Sequence, residues 1–169
     1  FFNLFIKFFY SEKKSQSSNT ANCVYVLFSN FTDYKNYYID RQYGLYGLND
    51  KKNFSYFVDL NENFDLIKNY RSNKKKLSKI PFSYYLSAKH ITIIDILNIY
   101  FFCLKSLFKI FFILNKKNFF YIKKKDCSNI LKELIVNSFF GSIQAQLIKG
   151  ISLKNFLNKK KLKYFINCF

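Results

Sequence analysis

The segment best equipped for chemistry is Asp40-Arg41-Gln42-Tyr43-Gly44. Only two of the 28 cationic residues are arginines, Arg41 and Arg71. A guanidinium grips phosphate or carboxylate through two parallel bonds, which an ammonium cannot do. Arg41 could therefore hold the phosphate of a sugar nucleotide, with Asp40, Tyr43 and Gly44 as neighbours of the ligand. The plainer reading is a surface Asp–Arg pair at a turn, and it weighs more, because such pairs are common and contribute little. His90 is the single histidine. It could act as a general base, but the sequence shows no Ser, Cys or Asp arrangement that marks a catalytic partner, so a structural or exposed role is favoured. Glu133, Ser138 and Gly141 share a helical stretch, yet Glu133 and Ser138 point in different directions. Gly141 fits close helix packing better than approach by a ligand.

No phosphate-cradling glycine loop, dinucleotide fingerprint or nucleophile elbow is present. No cofactor is expected. Cys23, Cys103, Cys127 and Cys168 have no CxxC spacing, so no metal site is expected. They read as reduced, buried thiols, which points to a cytoplasmic setting.

The elements that must position these residues follow from hydropathy. Phe1–Tyr10 reads as the end of an amphipathic helix. Cys23–Phe28 (CVYVLF) and Asn53–Leu60 (NFSYFVDL) read as buried strands, and Tyr164–Phe169 (YFINCF) as a third. Ser29–Asp40 and the cationic Lys74–Lys76 read as loops, and Asn63–Tyr70 as a short helix. Ile80-Pro81 breaks regular structure. Ile91–Asn115 is the clearest helix, with a narrow polar stripe through Asp95, Asn98, Lys105 and Lys109. Its length, about 37 Å, could span a bilayer, but its charges oppose that. A largely buried helix is favoured, and a membrane-surface helix comes second. A further helix is expected from Asn129 to about Lys149, capped by Asp126 or Ser128 and stopped by Gly150. Ser152 then caps a short helix through Asn158. The order predicts an α/β fold: a parallel-sheet, Rossmann-like partial domain with a helical insertion at about 91–160.

The 169 residues make about one domain. Low glycine and a single proline exclude collagen-like and repeat architectures. Phe, Tyr, Ile, Asn and Lys supply 100 of the 169 residues, and all have A/T-rich codons. The net charge of +18 is therefore partly codon bias, and it is a weakened sign of a nucleic-acid partner. The chain has no methionine and opens on Phe1-Phe2. It reads as a single incomplete domain over residues 1–169, a fragment of a longer protein.

Five stretches carry a family resemblance: VYVLFSNFTDY (Val24–Tyr34), DRQYGLYGL (Asp40–Leu48), PFSYYLSAKHI (Pro81–Ile91), ELIVNSFFGSIQAQLI (Glu133–Ile148) and KYFINCF (Lys163–Phe169). Together they resemble the amino-terminal half of a glycosyltransferase-like family of bacterial surface carbohydrate biosynthesis proteins. Gln42 and Tyr43 depart from it, standing where a Tyr or Phe-Trp type pair is expected. The resemblance implies a two-domain fold that uses a nucleotide sugar and a glycan acceptor, with this chain as part of the first domain and inactive alone. The expected location is the cytoplasm, with the inner face of the membrane as an alternative. Two rivals stand beside it: a basic, non-catalytic RNA-associated protein, resting on charge, and a peripheral membrane protein, resting on the long helix.

Overall fold

The computed structural model describes residues 2–14, 22–51, 53–60, 68–115 and 120–167. In chain order the elements are α1 (Phe2–Phe9), β1 (Asn22–Leu27), β2 (Phe31–Tyr34), β3 (Tyr37–Asp40), α2 (Gly44–Asn49), β4 (Phe54–Asp59) and α3 (Tyr70–Ser78). They continue with β5 (Ser83–Leu86), α4 (Ile93–Leu114), β6 (Tyr121–Ile122), β7 (Lys125–Asp126), α5 (Ser128–Phe140), α6 (Ser142–Lys159) and β8 (Tyr164–Asn167). The chain divides into a sheet unit, Phe1–His90 with Ser152–Phe169, and a helical unit, Ile91–Ile151.

The three expected strands are neighbours in one parallel sheet, ordered β5-β4-β1-β8. β1 pairs with β4 from Asn22↔Phe54 to Leu27↔Asp59, and with β8 from Asn22↔Tyr164 to Tyr25↔Asn167. This is the expected α/β, Rossmann-like arrangement. Every residue of β4 is buried, as a central parallel strand covered on both faces requires. Side chains alternate between the faces. Phe54, Tyr56 and Val58 join Val24, Val26 and Leu86 on one face, under α1, the β2–β3 hairpin and α3. Cys23, Phe57 and Tyr85 meet Phe156 of α6 on the other.

The segment after α1 runs antiparallel beside β5. Tyr84 donates its backbone N–H to the Lys13 carbonyl at 2.7 Å, and Lys13 Nζ donates to the Ile80 carbonyl at 2.8 Å. The outer side of β5 is thereby occupied, which removes an unpaired sheet edge.

Several local expectations are corrected. Ser29–Asp40 is a tight turn followed by a hairpin, in which β2 and β3 pair from Phe31↔Asp40 to Tyr34↔Tyr37. Its Tyr and Asn residues looked like a loop because only Phe31, Tyr38 and Ile39 reach the core. Lys74–Lys76 lies within α3, whose buried side is made by Asn73 and Leu77. Ser83–Leu86 is a fourth strand, too short to stand out beside Pro81. The expected helix at 129–149 breaks at Gly141 instead of Gly150, and Ser152 lies inside α6. The expected short helix at 63–70 falls mostly on 61–67, outside the described residues, and Tyr70 begins α3.

α4 is not largely buried. Ile99 and Cys103 are enclosed, in a core with Ile91, Phe139, Ile143 and Leu147. Phe101 is 69% exposed and Phe108 71%. The apolar arc of α4 is wider than the α5–α6 pair covers. Hydropathy reports which side chains are apolar, not whether a neighbour meets each of them. No helix among the described residues is long and apolar enough to cross a membrane.

Candidate functional site at the carboxyl edge of the sheet

Parallel strands aim their carboxyl ends at one edge, where α/β sheets bind ligands. Asp59 closes β4 at that edge and is fully buried. A carboxylate removed from water needs donors. Tyr25 Oη of β1 donates to Oδ2 at 2.9 Å, and Ser87 Oγ, just past β5, donates to Oδ1 at 3.2 Å. Ser152 Oγ of α6 in turn donates to the Ser87 carbonyl. One carboxylate thus ties together the ends of three elements.

His90 lies nearby in the chain, in the single turn that follows β5. Its ring packs against Phe156 at 5.0 Å and Phe57 at 5.7 Å between centroids. Nε2 stands 3.2 Å from Glu12 Oε1, an ion-pair separation without hydrogen-bond alignment. The same Glu12 oxygen accepts the Leu86 N–H at 2.9 Å. Burial pushes the Glu12 carboxyl up, but the imidazole, the Leu86 N–H and Lys14 outweigh it, so it titrates below the usual glutamate range. Lys160 Nζ lies 4.7 Å over the Tyr85 ring. Burial pushes the neighbouring Cys23 thiol up to about 12, so it carries no thiolate for nucleophilic work.

The segment singled out in the sequence has a different place. Arg41 donates its N–H to the carbonyl of Asn30 at 3.2 Å, three residues beyond β1, so its turn is tied to the carboxyl end of that strand. The Arg41 side chain is exposed. Asp40 is buried, and its Oδ2 accepts the N–H groups of Gln42 at 3.1 Å and Tyr43 at 2.8 Å. The carboxylate closes the turn into α2 instead of pairing with Arg41. Burial raises the Asp40 pKa, and the N–H groups of Tyr43, Gln42 and Arg41 partly offset this. Tyr43 is half-buried and packs against the core. Gly44 sits where an added Cβ would fall 2.7 Å from Ile39 Cβ, so backbone packing explains this glycine. The turn is adjacent to the carboxyl edge, while the buried network around Asp59 is separate from it.

Asp59, Tyr25, Ser87 and Glu12 were not singled out in the sequence, and Ser152 only as a helix cap. A carboxylate ending an apolar strand (FSYFVD) is a usable signal, because such a group must be paired or must serve a ligand. The Glu12–His90 pair left no sequence signal, since it joins segments far apart in the chain. Among the described residues no group of His, Cys, Asp and Glu could hold a metal ion. The helical unit carries an apolar hollow lined by Asn98, Ile99, Phe102, Leu147 and Ile151, with no titratable group. No family model, curated protein or solved structure matches this chain.

Proposed function

We propose that this chain is the nucleotide-sugar-binding part of a glycosyltransferase-like protein that passes a sugar to a surface glycan acceptor. The strand order supports this reading. The parallel strands proceed outward from β1 through β4 to β5, and β8 then joins on the opposite side of β1. In open parallel sheets such a reversal leaves a crevice at the carboxyl ends of the two strands, here β1 and β8, and nucleotides sit in crevices of this kind. The Asp59 network fixes the β1–β4–β5 side of that edge. Arg41 is exposed and bonded to Asn30 just past β1, and in this reading it is the cation that meets a phosphate. Asp40, Tyr43 and Gly44 shape the turn that carries it.

Thermal unfolding of the full-length protein with uridine, guanosine and cytidine sugar nucleotides tests the reading. A midpoint that rises with concentration of one of them, and that falls back in Arg41→Ala, is the expected result. No rise with any of the three overturns it.

The RNA-associated reading has one observation of its own. Tyr34 and Tyr37 at the hairpin tip are partly exposed, and Lys35 and Lys51 lie 5.5 and 5.2 Å over their rings. Affinity for single-stranded RNA that falls steeply with salt would support it.

A further inference from the structure

We propose that α4 docks the protein on an anionic lipid surface, lying along it and not through it. The helix has 22 residues, so it is about 33 Å long. Its circumference divides into three strips at 100° per residue. One strip, centred on Ile99 and Cys103, is buried within the helical unit. The next carries Leu97, Phe101, Leu104, Phe108 and Phe111, spaced three or four apart and all exposed. Lys105 and Lys109, also exposed, border that apolar strip on its open side.

The charge pattern selects the occupant. A second copy would bring another lysine-bordered face on a chain of net charge +18, and like charges oppose that contact. A nucleic acid would use the lysines but leave Leu97, Leu104 and the Phe rings in water. An anionic bilayer satisfies both strips: the acyl boundary takes the apolar residues and the headgroups take the lysines, whose stems reach upward. From Ile91 to Ile151 the sequence carries nine lysines against three acidic residues. The β6–β7 hairpin repeats the same pairing of residue types. Tyr121 and Ile122 are each 52% exposed, and the turn after them is Lys123-Lys124, at φ 47° and 68°. Left-handed turn positions usually go to glycine or asparagine.

Co-sedimentation of the full chain with vesicles tests this, using phosphatidylglycerol mixed with phosphatidylcholine and phosphatidylcholine alone. Pelleting with the anionic vesicles, weakened by salt, is expected. Phe101→Ser with Phe108→Ser should lower the partition coefficient about tenfold or more, and Lys105→Glu with Lys109→Glu should remove the preference for anionic lipid. These positions are exposed, so circular dichroism should match the parent; Leu97→Gln provides a milder variant on the same strip. Absence of pelleting overturns the proposal, and so does pelleting that ignores the Phe and Leu substitutions. A concentration-dependent dimer that the Phe substitutions abolish, without vesicle binding, assigns the face to a second copy. RNA binding lost with the lysines, again without vesicle binding, assigns it to nucleic acid. None of these readouts depends on nucleotide-sugar binding.

Discussion

The Tyr25 hydroxyl on β1 donates to the buried Asp59 carboxylate at the end of β4 across 2.9 Å, the tyrosine itself being half-buried. The bond joins two central strands by side chains as well as by the backbone ladder. Hydrogen bonds to charged groups contribute about 1.5–3 kcal/mol. Tyr25→Phe should therefore lower unfolding free energy by about 2 kcal/mol, read from urea titration. Adding Asp59→Asn to Tyr25→Phe should cost less than Asp59→Asn in the parent, because the stranded charge is then gone. Strictly additive losses would show that the two side chains do not depend on each other.

Acid sensitivity should depend on Glu12. Its folded pKa lies below the ordinary value. The stability this adds is complete above the unfolded glutamate pKa and disappears as pH falls through the folded one. Glu12→Gln should flatten the decline in melting temperature on the acid side of the ordinary carboxylate range. A variant that declines as steeply as the parent would remove Glu12 from the account.

Asp40 has the opposite sign. Its folded pKa is raised, so the charged form costs stability as pH rises from the unfolded through the folded value. Its Oδ1 is buried without a hydrogen-bond partner among the described residues. Asp40→Asn keeps an acceptor for the Gln42 and Tyr43 N–H groups and removes the buried charge. It should leave stability at neutral pH unchanged or raised. Asp40→Ala strands both donors and should cost about 1–2 kcal/mol. Equal losses in the two variants would mean that charge, not turn closure, is what the site uses.

The glycines should separate by packing. An alanine Cβ at Gly47 would lie 2.5 Å from the Phe54 ring, which is fully buried beneath it. Gly47→Ala should cost about 1–3 kcal/mol. Gly150 lies inside α6 with nothing within 4 Å of an added Cβ, so Gly150→Ala should stabilise by about 0.5–1 kcal/mol. Denaturant midpoints that moved the same way in both would contradict the described packing.

The sheet was legible because CVYVLF, NFSYFVDL and YFINCF are short apolar runs bounded by polar residues, and burial on both faces leaves that mark. The fourth strand was not, because Ser83 and two tyrosines look amphipathic and Pro81 suggests a loop. Gly150 misled as a helix stop. A lone glycine costs a helix about 1 kcal/mol, which the packing of Phe156 and Leu153 beyond it outweighs. Arg41 was conspicuous by rarity, and its N–H bonds to Asn30, three residues past β1. Glu12 was invisible, because only the folded chain brings it beside Leu86 and His90.

The Lys13 strap has a consequence for assembly. With Lys13 already bonded beside β5, that border offers no template to an incoming ribbon. Among the described strands the opposite border is β8, where Tyr164 and Ile166 remain in contact with solvent. Among the described strands, the border left for a further strand to pair with is therefore that of β8.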